Sequence, residues 1–343
     1  MAEMQAPRDH LAPTLPANLA LPDSAGYESA EEQENKIARL RVALSEGLPT
    51  LPSYVFELNG LLSASPVDLK RVGEVIRRDP SLTAQVIRMC SSMLLGLREK
   101  VSSIEHAVIL LGTERLRTLM LTISLVEYVG NHLSASLIQS FWQHSFLTAI
   151  LSERIARWTT YPRPEQAYLA GLLHDIGILP LLTITYRNQA KPNVLEWIGG
   201  GESIQAEQEY FGLDHCEVGR WIGISWNFSP ALIDVFQNHH DPQEADRDSR
   251  LVGIVAVADQ FCRKHGVKLG GESPQLSLAD QLQFDDTLRV CLPGLGSEER
   301  IRLAEVLESD FLHLVQMLAL GNPGLFGRGG FASSGHENQG PQG

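Results

Sequence analysis

Residues 169–182 read LAGLLHDIGILPLL, an apolar run in which His174 and Asp175 are the only polar side chains. A carboxylate buried in such a run needs a cation, a metal or several hydrogen-bond donors, because otherwise it binds a proton. The doublet, two glycines and Pro180 interrupt the run, which makes it too short and too polar to span a bilayer. The stretch therefore predicts a core segment that carries a polar centre.

Two further stretches place a polar group in apolar surroundings. Asp259 lies in the apolar run LVGIVAVADQF, which ends at Phe261. His144 shares a helix face with Leu147 and Leu151. Because burial demands partners, we expect these groups to meet the His-Asp doublet.

Apolar residues recur at spacings of three and four along most of the chain, and no segment alternates as a half-buried strand does. The predicted helices are 67–78, 81–90, 103–111, 113–129, 141–158, 164–182, 204–211, 214–226, 230–239, 251–265 and 297–320. Asp214 with Glu217 resembles a capping box, and Ser229 before Pro230 suits an N-cap. The sequence predicts an all-α fold, built as a multi-helix bundle.

The two ends of the chain differ from this pattern in composition. Residues 1–27 are rich in Pro and Ala and predict a disordered tail, while the charged helix formers of residues 28–47 predict one helix. Residues 266–320 predict a C-terminal helical extension, and residues 321–343 predict a second disordered tail.

The overall charge argues against two classes of partner. The chain has 343 residues, with 28 Lys and Arg against 41 Asp and Glu, which gives a net charge of −13. Such a balance opposes attraction to nucleic acid or to an anionic membrane, and we expect neither as a partner. The N-terminus lacks a basic segment followed by a continuous apolar one, and the four cysteines form no CxxC pair. We expect a cytoplasmic protein with reduced thiols.

The candidate metal ligands are imidazoles and carboxylates within the helical region. They are His144, His174, Asp175, His215, His239, His240 and Asp259. A mixed nitrogen and oxygen set suits Fe, Mn, Zn, Ni or Co. Other interpretations stay open, since a single histidine can be a core group, a capping partner or a partner of the helix dipole. A hydrogen-bond network that contains no metal is also compatible with the pattern.

The ordered motifs resemble those of a known family. His144, the doublet in GLLHDIG and Asp259 in VAVAD resemble the HD superfamily of metal-dependent phosphohydrolases. The upstream RRDPSLTAQVIRMCSS, with FWQHS, LDHCEVGRWI and QNHHDP, is similar to the HDOD domain, a bacterial regulatory relative of the HD-GYP phosphodiesterases. The resemblance covers residues 48–265 and implies an HD-type bundle preceded by an N-terminal helical bundle. It also implies that the seven candidate ligands match the metal positions of the phosphodiesterases.

Several positions depart from the phosphodiesterase pattern. Ile178 stands where those enzymes carry a phosphate-binding lysine, and Ser140 stands where they carry a glutamate. The segment after the paired histidines, HHDPQEADRDSR, is acidic where their GYP-containing loop lies. Ser91 replaces an asparagine common in HDOD domains, which puts any role of that asparagine in doubt.

Two functions follow from the resemblance. The first is a non-catalytic signal transduction module that binds a signalling protein partner or a small ligand and has a metal site. The alternative is a metal-dependent phosphohydrolase or phosphodiesterase. In that enzyme Asp175 would bridge two metals, with His144, His174 and Asp259 at one and the remaining histidines at the other. Asp175 and a metal-bound water would then form the catalytic centre. The sequence leaves the number of ions at one or two.

Overall fold

The computed structural model describes residues 53–64, 66–78, 135–187, 203–266 and 278–320, together with single positions between 82 and 133. Three predicted segments lie outside the described residues, namely the two tails at 1–27 and 321–343 and the charged helix at 28–47. Ser91 also lies outside them.

The described residues form α-helices and one 3-10 helix at Pro242–Glu244, and they contain no strand. The helices are α1 (Ser53–Ser63), α2 (Leu69–Arg77), α3 (Ala135–Trp158), α4 (Pro164–Leu173), α5 (Ile178–Arg187), α6 (Ser203–Phe211), α7 (His215–Ser225), α8 (Pro230–Asn238), α9 (Ser249–Lys264), α10 (Leu278–Cys291) and α11 (Ser297–Leu320). The predicted all-α fold is confirmed.

The His-Asp doublet lies in a turn, whereas the periodicity predicts one continuous helix over 164–182. Helix α4 ends at Leu173, and α5 begins at Ile178 after a four-residue turn. Gly177 lets this turn lie against α7, because a Cβ there would collide with the carbonyl oxygen of His215. Only glycine lets the two backbones approach so closely. The turn thereby brings the doublet against the start of α7.

Helix α9 lies at the middle of the bundle and packs on α3, α4, α8 and α10. Its residues from Leu251 to Asp259 are all buried, which is why the sequence there is almost entirely apolar. Gly253 permits the close approach of α10, since a Cβ at this position would collide with the carbonyl oxygen of Cys291. A central helix of this kind can present a polar side chain to several neighbours.

The C-terminal extension supports the helices that carry His144 and Asp259. Arg154 on α3 pairs with Asp310 on α11 at 2.7 Å. The ring of Phe261 on α9 contacts that of Phe311 on α11, with centroids 5.7 Å apart. Helices α3 and α9 are therefore tied together from outside the centre.

One described segment, Pro164–Thr185, is long and apolar enough to cross a membrane by length and composition. Its most apolar window is completely buried within the protein. The two helices of this segment, α4 and α5, therefore serve as core helices of the bundle.

Candidate metal centre

The fold brings the seven predicted residues together from five segments. His144 lies on α3, His174 and Asp175 in the turn before α5, His215 at the start of α7, His239 and His240 just after α8, and Asp259 on α9. Six of the side chains are buried, and His240 is partly buried. Groups separated by up to 115 positions in sequence, which is 259 minus 144, thus share one interior site.

Asp175 stands between two groups of donors and turns one oxygen toward each. Its Oδ2 lies 3.5 Å from Nε2 of His144 and 3.3 Å from Nε2 of His174. Its Oδ1 lies 3.4 Å from Nε2 of His215 and 3.3 Å from Nε2 of His239. A carboxylate in this position can contribute one oxygen to each donor group at the same time.

The first donor group consists of His144, His174 and Asp259. The Nε2 atoms of the two histidines lie 3.3 Å apart. Oδ1 of Asp259 lies 3.2 Å from Nε2 of His144 and 3.6 Å from Nε2 of His174. These three atoms and Oδ2 of Asp175 converge on one region.

The second donor group consists of His215, His239 and His240. Nε2 of His215 lies 3.4 Å from Nε2 of His239 and 3.1 Å from Nε2 of His240. The thiol of Cys216 joins this group, with ligand atoms within 4.8 Å of one another. Burial raises the pKa of that thiol, although His215 opposes the shift.

Three of the histidines are oriented by hydrogen bonds on their outer nitrogens. Nδ1 of His174 lies 2.8 Å from the carbonyl oxygen of Gly171, and Nδ1 of His239 lies 3.0 Å from that of Val235. Nδ1 of His215 lies 2.8 Å from Oε2 of Glu207. Because these oxygens accept, each Nδ1 donates, and in the neutral ring that metal binding requires each Nε2 presents a lone pair to the centre.

The donor set fits a transition metal. In the neutral rings, the Nε2 lone pairs of His215 and His239 face one another at 3.4 Å and repel unless a cation stands between them. Adjacent ligands of a metal with bonds of about 2.1 Å lie roughly 3.0–3.4 Å apart, close to the donor separations found here. Imidazole nitrogens and carboxylate oxygens bind Fe, Mn, Zn, Ni and Co. The centre is therefore able to hold a divalent ion, whose identity the geometry leaves open.

The pKa values of His174, Asp175 and His240 are shifted by burial and by the charged groups that surround them in the centre. Burial by itself lowers the pKa of His174, but Asp175 and Asp259 outweigh it and raise the pKa to about 10. Burial would raise the pKa of Asp175, but His174 and its neighbours hold it well below its usual range. Burial lowers the pKa of His240, and the adjacent His239 and Arg263 lower it further. The centre thus holds its carboxylates ionised and attracts positive charge.

Sequence reasoning missed two residues that contact the donors. Glu207 is buried on α6 and accepts hydrogen bonds from the backbone nitrogen and from Nδ1 of His215. Arg263 lies one helical turn after Asp259 on α9 and reaches both donor groups. The i,i+4 spacing from Asp259 could have revealed Arg263, but Glu207 carries no such local signal. Among the described cysteines, Cys216, Cys262 and Cys291 are free and buried.

The acidic loop beyond the paired histidines is held by Asp234 on α8. Its carboxylate accepts hydrogen bonds from the backbone nitrogens of Arg247 at 2.8 Å and Asp248 at 3.0 Å. Asp248 in turn caps α9 by accepting from the backbone nitrogen of Leu251. The chain from His240 to α9 is therefore fixed beside the centre.

The N-terminal caps follow the predictions in part. Asp214 accepts from the backbone nitrogen of Glu217 at 3.0 Å, as the capping box requires. Ser229 occupies the N-cap of α8 with Pro230 after it, but its side chain makes no capping hydrogen bond. The fixed dihedral of the proline is sufficient to start this helix.

Comparison with known proteins agrees with this fold. A family model of the HDOD domain matches residues 48–242. The chain belongs to the HDOD domain family. The predicted resemblance to the HD superfamily is thereby confirmed, and the HDOD match includes all of the candidate ligands except Asp259.

The most similar proteins include one relative and two solved structures. An uncharacterised protein of Treponema pallidum is 22% identical over 295 residues, covering 82% of this HDOD chain and 53% of the relative. This chain thus spans about half of the length of that relative. An HDOD domain protein of unknown function from Geobacter sulfurreducens is 28% identical, with a TM-score of 0.65, covering 84% and 98% of the two chains. A Shewanella amazonensis protein with the provisional name of a phosphohydrolase is 24% identical, with a TM-score of 0.57 and coverage of 85% and 98%, and this likeness shows the fold.

Proposed function

We propose that this HDOD protein is a non-catalytic regulatory module whose helical arrangement depends on a divalent transition metal bound by the seven-residue centre. The observation that carries the proposal is the orientation of three histidines, His174, His215 and His239. Each ring donates its outer hydrogen to a fixed acceptor and directs its Nε2 toward Asp175. Such anchoring of both the tautomer and the ring is typical of metal-binding histidines.

Two features of the surroundings support a non-catalytic role. Ile178 is completely buried at the position where the HD-GYP phosphodiesterases carry a phosphate-binding lysine, and its side chain has no donor to offer a phosphate. The loop after the paired histidines exposes Asp241, Glu244 and Asp246. Asp246 pairs with Arg247 at 3.3 Å, so it is Asp241 and Glu244 that oppose an anionic substrate on this side.

A metal in this centre would act on the arrangement of the whole bundle. The proposed ligands come from α3, the turn after α4, α7, the end of α8 and α9, so that ions in the two donor groups, linked through Asp175, would together join five segments. Binding to the folded state alone adds about 2.7 kcal/mol of stability when the free metal is at 100 times its Kd. We propose that occupancy sets the surface offered to a signalling protein partner or a small ligand, and that nucleic acid and membranes are not partners.

Elemental analysis tests the metal centre directly. The protein is purified without an affinity tag or chelator, reconstituted with Fe, Mn, Zn, Ni or Co, and compared with Asp175→Ala. We expect about one or two equivalents of metal in the wild type. The variant should lose them while its circular dichroism stays helical. Asp310→Asn is the matched control, because Asp310 pairs with Arg154 on another face and should leave the metal content unchanged. A wild type that takes up no metal under any of these conditions would overturn the proposal.

A metal-dependent phosphohydrolase is the second candidate, and the position of Asp175 between the two donor groups favours it. His144, His174 and Asp259 would hold an ion with one oxygen of Asp175, and the second histidine group would use the other. A divalent ion there supplies Lewis acidity and a lowered pKa of water. The metal-loaded protein is assayed with phosphate monoesters and cyclic dinucleotides. Turnover that disappears in Asp175→Ala would establish this enzyme and contradict the non-catalytic proposal.

A further inference from the structure

Arg263 contacts both donor groups of the centre. Its Nη2 lies 2.6 Å from Oδ2 of Asp259, which belongs to the first group. Its Nη1 lies 3.1 Å from Nδ1 of His240, which belongs to the second group. The pair with Asp259 is a close charge contact without hydrogen-bond alignment, whereas the contact with His240 is an aligned hydrogen bond. The side chain is only 17% exposed, so water screens these contacts weakly.

The hydrogen bond from Arg263 determines the tautomer of His240, that is, which of its two ring nitrogens carries the hydrogen. A guanidinium donates and never accepts, so Nδ1 of His240 must be the acceptor. A neutral imidazole with a lone pair on Nδ1 carries its hydrogen on Nε2. That atom lies 3.1 Å from Nε2 of His215, which accepts in the neutral ring that metal binding requires, because His215 donates through Nδ1 to Glu207. His240 is therefore a donor within the second group.

This orientation is opposite to that of the three anchored histidines. In their neutral forms His174, His215 and His239 turn lone pairs toward the centre, whereas neutral His240 turns an N–H toward it. A nitrogen that carries a hydrogen cannot bind a metal. His240 also occupies the lone pair of His215 that a metal would use. Ligation of the second group therefore requires that Arg263 release His240.

From this geometry we infer that Arg263 makes the two donor groups unequal. It positions His240 as a hydrogen-bond donor, and so it lowers the affinity of the second group for its ion relative to the first. The inference rests on the proposed metal centre and assigns to it an order of loading, in which the first group fills before the second. Arg263 is a positioning residue that acts through His240.

Titration of the full chain with Co(II) tests this order of loading. Visible absorption of the bound cobalt and calorimetry are followed in parallel. The wild type should load in two steps, or in one step with the second too weak to observe. Arg263→Met keeps the aliphatic stem but cannot donate, and we expect it to raise the affinity of the second step at least about tenfold, the value of one charge-assisted hydrogen bond. Arg154→Met is the matched control and should leave both steps unchanged.

A double-mutant cycle separates this mechanism from simple removal of a positive charge. In the His240→Ala background, Arg263→Met should change the second step by less than about threefold, because the residue through which Arg263 acts is gone. An equal gain in both backgrounds would overturn the inference in favour of general electrostatics. An unchanged or weakened second step in Arg263→Met would also overturn it. Absence of cobalt binding by the wild type would instead remove the proposed metal centre itself.

Discussion

Glu207 accepts two hydrogen bonds from His215, one from the backbone nitrogen at 2.7 Å and one from ring Nδ1 at 2.8 Å. Both go to the same oxygen, Oε2, while Oε1 is buried and has no hydrogen-bond partner. The carboxylate thus fixes the first residue of α7 and its ring together. This pairing orients His215 toward Asp175 and increases the basicity of its Nε2.

Loss of the Glu207 carboxylate should weaken metal binding without removing a ligand. We expect Glu207→Ala to lower metal affinity by about 10–100-fold, because the ring of His215 loses its anchor. Glu207→Gln keeps an acceptor for Nδ1 and should have a smaller effect. Competition with a chromophoric chelator measures both affinities. Glu209→Gln, on the exposed face of the same helix, should match the wild type; an equal loss in this control would assign the effect to α6 as a whole.

Gly177 is predicted to be intolerant of any side chain. A Cβ at this position would collide with the carbonyl oxygen of His215 and lie 2.6 Å from the backbone nitrogen of Gly219. Backbone atoms cannot rotate away, so the turn and α7 must separate. We expect Gly177→Ala to reduce the free energy of unfolding by at least about 2 kcal/mol and to weaken metal binding through the displaced His215.

Urea denaturation of Gly177→Ala and Gly60→Ala provides a matched comparison. Gly60 lies in α1 and is exposed, and a methyl group at its Cβ position would meet no atom within 4 Å beyond the backbone of its own helix. Its replacement should stabilise the protein by about 0.5–1 kcal/mol through the better helix propensity of alanine. If the two variants shifted the urea midpoint alike, the close approach at Gly177 would not limit stability.

The polar residues of the centre were predictable because burial makes them anomalous in sequence. His174, Asp175 and Asp259 interrupt apolar runs, His144 lies on an apolar helix face, and the remaining histidines fall in the same helical region. The periodicity predicted one helix through the doublet, although the doublet, two glycines and Pro180 interrupt the apolar run. Pro180 has no N–H to donate to the carbonyl of Ile176, so a continuous helix would lose a hydrogen bond here, and Gly177 lets the turn lie against α7.

The partners of the centre were less accessible to sequence reasoning. Glu207 lies in SIQAEQEYF, where it is indistinguishable by pattern from the exposed Glu209 two positions later. Its burial follows from how α6 packs before α7 begins. Arg263 could have been predicted from the sequence, because its i,i+4 spacing from Asp259 places both residues on one face of α9.

The hydrogen bond between Tyr161 and Asp248 should make stability sensitive to alkaline pH. The hydroxyl of Tyr161 donates to Oδ2 of Asp248 at 2.7 Å. Burial and this carboxylate raise the pKa of Tyr161 to about 12. The unfolded chain, with a tyrosine pKa of about 10, releases the proton first. The contribution of Tyr161 is therefore complete below about pH 10 and is lost as the pH rises toward 12.

Tyr161→Phe tests this dependence. The variant should be less stable than the wild type by about 1–2 kcal/mol near neutral pH, because Asp248 loses a donor at the start of α9. The difference should shrink between about pH 10 and 11, where the wild type begins to lose the contribution. The midpoints of urea denaturation of the two proteins, determined at a series of pH values, measure this difference in stability. A difference that stays constant with pH would mean that the hydroxyl contributes only packing.

Asp234 should control the loop that follows the paired histidines. Its two oxygens accept from the backbone nitrogens of Arg247 and Asp248 and from Nδ2 of Asn238. Asp234→Asn replaces one accepting oxygen with an amide that faces N–H groups, so we expect a loss of about 1–3 kcal/mol in stability. Hydrogen exchange should quicken through residues 241–248. Asp246→Asn, an exposed change in the same loop, should alter stability by less than about 0.5 kcal/mol. Equal effects of the two substitutions would show that net charge, and not the buried network, holds this loop beside His240.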